Sequence, residues 1–444
     1  MAGGARPLRR ARVPRPGQAG ALGALAKPAL GQGHGPVALR QLAPGAGPGS
    51  PGRLPAPERL AELWPSDEST GYADFAALPS AERLARLAAA VPEFPRDAPL
   101  PSSASNAWAV SAARSATGKP LLASDPHLGF QAPILWYLAR IEITAPGQPP
   151  RFLAGATSPG VPFMVIGRNT ALAWGFTTTH SDTQDVFIER LTGADRYEAP
   201  EGPRAFTVRE ETIQVRGREP ELLRVRETRH GPVISDLDGT HLPAGGSVLA
   251  VQMANPASRD SAADGLHALN NAGTLAEARA AAAQITAPAQ NLMVAAADGG
   301  IGMFLTGRTP VRRAGDGTLP SPGWDGSHDW TGWVPFDAMP HVVNPEGGVL
   351  VNANNRVQAA GAEPYLGRDW YGDWRFRRIH ALLAQRGAQA PQDLAAMQRD
   401  EVSLFAQELL PVLRAIPAPP APPARRGTFC WAGTGRCGPM RRSR

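Results

Sequence analysis

The alternation of apolar and polar residues becomes regular from Ser105 onward. Ala107 to Ala113 follows the two-residue rhythm of a half-buried strand, Gly118-Lys119-Pro120 supplies a turn, and Leu121-Leu122-Ala123 starts a second apolar run. Together they predict a hairpin that returns His127 close to Ser105. Short apolar runs between turn residues extend the β signal through 134–143, 152–155, 162–166, 172–178 and 185–191. Residues 207–235 alternate apolar with charged side chains, as a hairpin on a sheet surface would, and 247–253 reads as another strand. A further hairpin is expected from 291–297 and 301–305 around Asp298-Gly299-Gly300. The period becomes helical in 261–270, 274–286, 371–386 and 391–416. Strands first, with helices between and after them, predict an α+β layered fold.

The ends lack such periodicity. Residues 1–57 contain no acidic residue, carry Arg6, Arg9, Arg10, Arg12 and Arg15, and read as disordered. A candidate signal run at 19–26 is short and broken by Gly20 and Gly23, so no clear signal peptide is visible. Residues 58–104 hold one amphipathic helix, with Ser80 as its N-cap, followed by a spacer rich in proline and serine. Residues 105–416 are the ordered body, and 417–444 form an irregular tail beginning with a proline tract. Both cysteines, Cys430 and Cys437, lie in that tail without zinc spacing.

Composition changes this picture little. A hydrophobic fraction of 43% allows a substantial core, and 48 glycines with 46 prolines imply many turns. The net charge of +6 is carried almost wholly by arginine, since Lys27 and Lys119 are the only lysines. No basic stripe interleaved with aromatics supports a nucleic-acid partner, and no run is apolar and long enough to cross a membrane.

The candidate chemistry begins at Ser105. Taken singly, Ser105 reads as a loop serine before a strand, Asn354 as a turn asparagine, His127 as a structural histidine and Arg375 as a surface arginine of a basic helix. Asp182 and Asp185 read as loop aspartates. Their order along the chain gives them another meaning. Ser105-Asn106-x-Trp108, Asp125-Pro126-His127, Gly167-Arg168-Asn169, Ala173-Trp174-Gly175-Phe176-Thr177, His230-Gly231-Pro232-Val233, Pro322-Gly323-Trp324-Asp325-Gly326, Asn352-Ala353-Asn354-Asn355-Arg356 and Gln398-Arg399-Asp400 follow one another as blocks. This series resembles the penicillin acylase (penicillin amidase) family of N-terminal nucleophile hydrolases.

The resemblance implies a four-layer αββα core and a precursor that cuts itself at Ala104–Ser105 into paired α and β chains. Ser105 would be the nucleophile and its freed amine the base. Asn354 and the backbone N–H of Thr178 would hold the oxyanion, and His127 and Arg375 would orient the amine. Asp182, the carbonyl of Gln184 and Asp185 would bind a structural calcium, with Glu363 as a further ligand; no organic cofactor is implied. The expected activity is hydrolysis of a linear amide to release an acyl group, of the penicillin, cephalosporin or acyl-homoserine-lactone type, in the periplasm or outside the cell. The short region before Ser105 and the irregular tail suggest a truncated or frame-disrupted member, so an inactive remnant is the alternative. A Ser-His-Asp esterase using His127 is a third reading, weakened by the lack of a G-x-S-x-G elbow.

Overall fold

Every second side chain of the strand Ala104–Val110 points to the same face, and both faces of this strand are buried, so it must lie between two layers. It is the centre of a three-stranded sheet. On one side it pairs antiparallel with Leu121–His127, on the other with Val349–Asn352. The register sets Ala104 opposite His127 and Ser105 opposite Pro126, which is the expected hairpin. The computed structural model describes residues 104–415 apart from 129–131, 133, 239–245, 256–259 and 369. The expected disordered start, the helix after Ser80, the spacer to 103 and the tail fall outside the described residues.

A second, seven-stranded antiparallel sheet covers one face. Its order from edge to edge is His341–Val343, Ile301–Leu305, Gln290–Ala296, Leu172–Thr178, Ile166–Arg168, Arg151–Thr157 and Tyr137–Ile143. Ala107 and Ala109 of the first sheet meet Met293, Ala295, Ile301 and Met303 of the second in a buried apolar interlayer. Gly175 allows this approach, because a Cβ there would lie 2.5 Å from Ser124 Cβ.

Helices cover both outer faces. Ala262–Asn271 and Leu275–Gln284 lie on the seven-stranded sheet, where Leu269, Ala278, Ala281 and Ala282 pack on Trp174, Leu292, Val294 and Phe304. The alanines let the second helix sit close, and Thr274 caps it by accepting from the Glu277 N–H at 3.2 Å. On the opposite side Trp374–Ala384 and Pro391–Met397 contribute Ile379, Leu383 and Leu394, which pack against Trp108, Val110 and Val351. The layers therefore run helix, sheet, sheet, helix, as expected of an N-terminal nucleophile hydrolase.

One expected strand is displaced. The run 162–166 remains irregular, and the strand there is the short Ile166–Arg168. Proline at 162 removes a ladder donor. The backbone of Met164 is instead satisfied by a side chain: its N–H donates to Asn270 Oδ1 and its C=O accepts from Asn270 Nδ2, both at 2.9 Å. The hairpin Thr207–Ile213 and Glu221–Thr228 is solvent-exposed along its first strand, as its charged alternation requires.

Two of the sequence blocks meet beside the core. Buried His230 stacks on Phe187 with ring centroids 3.7 Å apart. Its Nδ1 lies 2.7 Å from Glu189 Oε1 and its Nε2 3.0 Å from Asp329 Oδ1. Arg229 donates to the same carboxylate at 2.6 Å and to the Gly323 carbonyl at 3.0 Å. Burial opposes the charge on Asp329, yet hydrogen bonds from Arg229 and His230 outweigh it and hold its pKa below the ordinary carboxylate value. A depressed native pKa stabilises the fold above the unfolded value of about 3.9 and loses that contribution as pH falls through the native one. Asp329→Asn should therefore flatten the acid limb of the melting temperature against pH below about 4. An unchanged acid limb would show that this cluster does not set acid stability.

Candidate active site

Ser105 sits at the second position of its strand, 7% exposed, on the peptide bond that follows Ala104. Its backbone N–H donates to Asn354 Oδ1 at 2.6 Å, across 249 residues of sequence. The same oxygen accepts from Arg375 Nη2 at 3.0 Å. Arg375 Nη1 donates to the Ser105 carbonyl at 2.8 Å and to Asn106 Oδ1 at 2.7 Å. One guanidinium thus holds the Ser105 carbonyl directly and reaches its N–H through the shared oxygen of Asn354. Burial lowers the pKa of Arg375 from its usual value, but a guanidinium stays charged throughout the working range.

Asn354 holds a left-handed backbone conformation, φ 63°, which asparagine tolerates better than most residues. Asn352 maintains it. Asn352 Oδ1 accepts from the Asn354 N–H at 3.0 Å, from Thr177 Oγ1 at 2.6 Å and from Asn291 Nδ2 at 3.2 Å. These donors lie on Leu172–Thr178 and Gln290–Ala296, so the amide of Asn354 is referenced to the seven-stranded sheet. Asn355 Oδ1 adds a bond from the Ala353 N–H at 3.0 Å. All these groups are buried.

Thr178 ends its strand beside Asn354, whose Nδ2 donates to the Thr178 carbonyl at 2.9 Å. Thr178 is in register with Gln290, whose own C=O and N–H are paired with Thr306 at 2.8 and 3.4 Å. Antiparallel partners alternate between bonded and non-bonded pairs. The backbone polar groups of Thr178 therefore point away from Gln290–Ala296, on the side where Asn354 lies and past the last pairing with Ile166–Arg168 at Trp174. That orients the Thr178 N–H toward the same space as the asparagine amide.

His127 is more remote. Its side chain is 43% exposed, and its Nε2 is 3.3 Å from Asp125 Oδ2 and 3.4 Å from Asn106 Nδ2. It is linked to Ser105 through Asn106 and Arg375 and not by direct contact between side chains. This does not resemble a Ser-His-Asp relay, in which the imidazole bonds the nucleophile. The sequence blocks contain Asn106, Asp125 and Thr177 but assign them no role, and Asn291 lies in an expected strand with no signal of its own.

The expected metal ligands are arranged differently. Asp182 and Asp185 are each 2% exposed, not loop-surface residues. Arg312 lies against them, donating through Nε to Asp185 Oδ2 at 2.8 Å and through Nη2 to Asp185 Oδ1 at 2.7 Å. Nη2 also reaches the Asp182 carbonyl at 3.2 Å and Asp182 Oδ1 at 3.3 Å. Gln184 starts the strand Gln184–Arg190, buried. Glu363 turns to the N–H of Tyr365 at 3.1 Å. Calcium needs six to eight oxygens facing one point. Here both oxygens of Asp185 and Oδ1 of Asp182 face an internal cation instead, so the residues do not fit the ion that the resemblance implied.

Among the described residues no helix is long and apolar enough to cross a membrane. The penicillin amidase family model matches residues 22–433. An acyl-homoserine lactone acylase QuiP of Pseudomonas fluorescens is 36% identical over 314 residues, covering 70% of this chain and 37% of that protein. A penicillin acylase 2 proenzyme of a Pseudomonas species is 34% identical over 337 residues, covering 74% of this chain and 42% of that one. The structure of a thermostable penicillin G acylase from Alcaligenes faecalis superposes with a TM-score of 0.60 at 26% identity, over 70% of this chain and 56% of that one. The chain spans about two fifths of the length of these curated relatives.

Proposed function

The chain belongs to the penicillin amidase family, and from that premise we propose that it is a self-processing amidohydrolase that removes an acyl group from a linear amide, with Ser105 as nucleophile. The single observation that carries this reading is the convergence of Asn354, Arg375 and the Ser105 backbone on one another. No structural need of a strand serine explains a buried asparagine and a half-buried guanidinium both spent on its backbone.

In the processing step Ser105 Oγ attacks the carbonyl carbon of Ala104. The Oγ proton passes to the Ser105 nitrogen, the C–N bond breaks, and an ester and a free amine result. Water then hydrolyses the ester, leaving a carboxylate on Ala104 and a hydroxyl on Ser105. In turnover the amine, acting through a water, takes the Oγ proton as Oγ attacks the substrate carbonyl. Asn354 Nδ2 and the Thr178 N–H stabilise the resulting oxyanion. The proton goes to the leaving amine, and water releases the acyl group by the same route. Asn106 holds Arg375 in place beside the amine, and His127 acts only from a distance, through Asn106 and Asp125. Export to the periplasm or the exterior belongs to this reading.

The amine must be neutral to act as base, and an ordinary α-amine titrates near 7.7–8.0. Arg375 bonds the Ser105 carbonyl and shares Asn354 Oδ1 with the Ser105 nitrogen. Asp125 opposes it from beyond Asn106. In this reading the Arg375 charge disfavours the protonated amine. The acid limb of kcat/KM should therefore move to higher pH in Arg375→Met. An acid limb that does not move in that variant would exclude Arg375 as the tuning charge.

The substrate class is tested by following amine release from a panel of acyl-homoserine lactones, phenylacetyl amides and N-acyl β-lactams. Hydrolysis of at least one panel, with the acid product recovered, is the expected result. Turnover of none of them by a chain that has cleaved itself would overturn the acylase assignment.

A further inference from the structure

We propose that Arg312 serves as a built-in cation in place of calcium, so that this chain holds the Asp182–Asp185 segment without a metal. The proposal does not depend on the reaction assigned above. Asp185 offers four lone-pair directions, and three are used by N–H donors: two from Arg312 and one from Trp330 Nε1 at 2.6 Å. A metal cannot share those lone pairs with hydrogens already directed along them. The Arg312 side chain is 4% exposed. Burial works against its charge, but Asp185 and Asp182 more than offset this and hold its pKa above the usual value. A guanidinium fork matches a carboxylate in two parallel bonds, which a spherical ion does not.

The surrounding structure closes over this pair. Gly317, at φ +78°, passes so near that a Cβ would collide with Asp185 Oδ1 and the Arg312 guanidinium. Tyr365 lies behind, its hydroxyl pushed up to about 12 by burial and by the charges of Asp316 and Asp182. Asp316 in turn pairs with Arg368. The consequence reaches the candidate active site. Asp182 lies four residues after Thr178, and Gln184–Arg190 begins two residues later. Arg312 therefore anchors the connection that leaves the oxyanion donor.

The test uses the full chain and two readouts other than activity. Trp330 contacts Asp185, so terbium bound at these carboxylates would emit by transfer from its indole. The wild type should show no saturable tryptophan-sensitised terbium emission, and its melting temperature should be the same in EDTA and in millimolar calcium. Arg312→Met keeps the length and removes the charge. It should melt lower, gain saturable terbium emission quenched by calcium, and gain a melting temperature that rises with calcium by mass action. Saturable terbium binding by the wild type, with a melting temperature lowered by EDTA and restored by calcium, would overturn the proposal. So would a folded Arg312→Met that ignores both ions. If Arg312→Met does not fold, the wild-type arm decides alone.

Discussion

Ser105→Ala is expected to leave the chain in one piece and without measurable amide hydrolysis. The substitution removes the only atom that can attack Ala104 in processing and the substrate carbonyl in turnover. Loss of a serine nucleophile leaves binding and oxyanion stabilisation, and kcat falls on the order of 10⁶. The fold should survive, because the hydrogen bonds around this residue use its backbone. Asn354 receives the Ser105 N–H and Arg375 serves the Ser105 carbonyl, and neither involves Oγ. Stability should change by less than about 1 kcal/mol, the range of substitutions that create no cavity and no orphaned charge. Gel mobility, intact mass and thermal melts check the three parts together. A Ser105→Ala chain that still divides before residue 105 would place the nucleophile elsewhere.

Asn354 should show the second-largest effect, and two variants separate its roles. Both Asn354→Ala and Asn354→Gly remove a side-chain donor to the oxyanion, which costs about 2.7–4 kcal/mol, or 10²–10³ in kcat. They differ in the backbone. At φ 63° an alanine bears a strain of about 1–2 kcal/mol that glycine does not. Both variants orphan the buried Ser105 N–H and Thr178 carbonyl, but Asn354→Gly should be less destabilised than Asn354→Ala by that strain and turn over as slowly, with processing slowed as well. Steady-state kinetics and chemical denaturation of both variants decide this. Full activity in Asn354→Gly would mean that Asn354 only shapes the turn.

The hairpin from Ser105 to His127 was legible in the sequence because it is local: a two-residue period, one turn and a second run determine it. The pairing of Ser105 with Asn354 was not, because 249 residues separate them and no local pattern encodes which turn asparagine faces which strand. Only the family blocks pointed to it. The strand Val349–Asn352 was hidden for a related reason. It is four residues long, too short for a period to show, and it is defined by its partner. The aspartates at 182 and 185 carried the opposite lesson. Their spacing suggests a metal, but the sequence does not show that Arg312, 127 residues away from Asp185, fills the space between them. His127 was expected at the amine, and the strand register does bring it opposite Ala104. Its ring turns to Asp125 and Asn106 and not to the nucleophile, a choice made by side-chain neighbours that no hairpin pattern specifies.

The central claim is that Ser105 becomes an amino terminus through its own chemistry. Intact mass and N-terminal sequencing of the purified wild-type chain, sampled over time beside Ser105→Ala, address it most directly. The expected result is a fragment beginning Ser105-Asn106-Ala107-Trp108 that accumulates in the wild type and never in the variant. A wild-type chain that remains whole while folded, or a cut at the same bond in both chains, would contradict it.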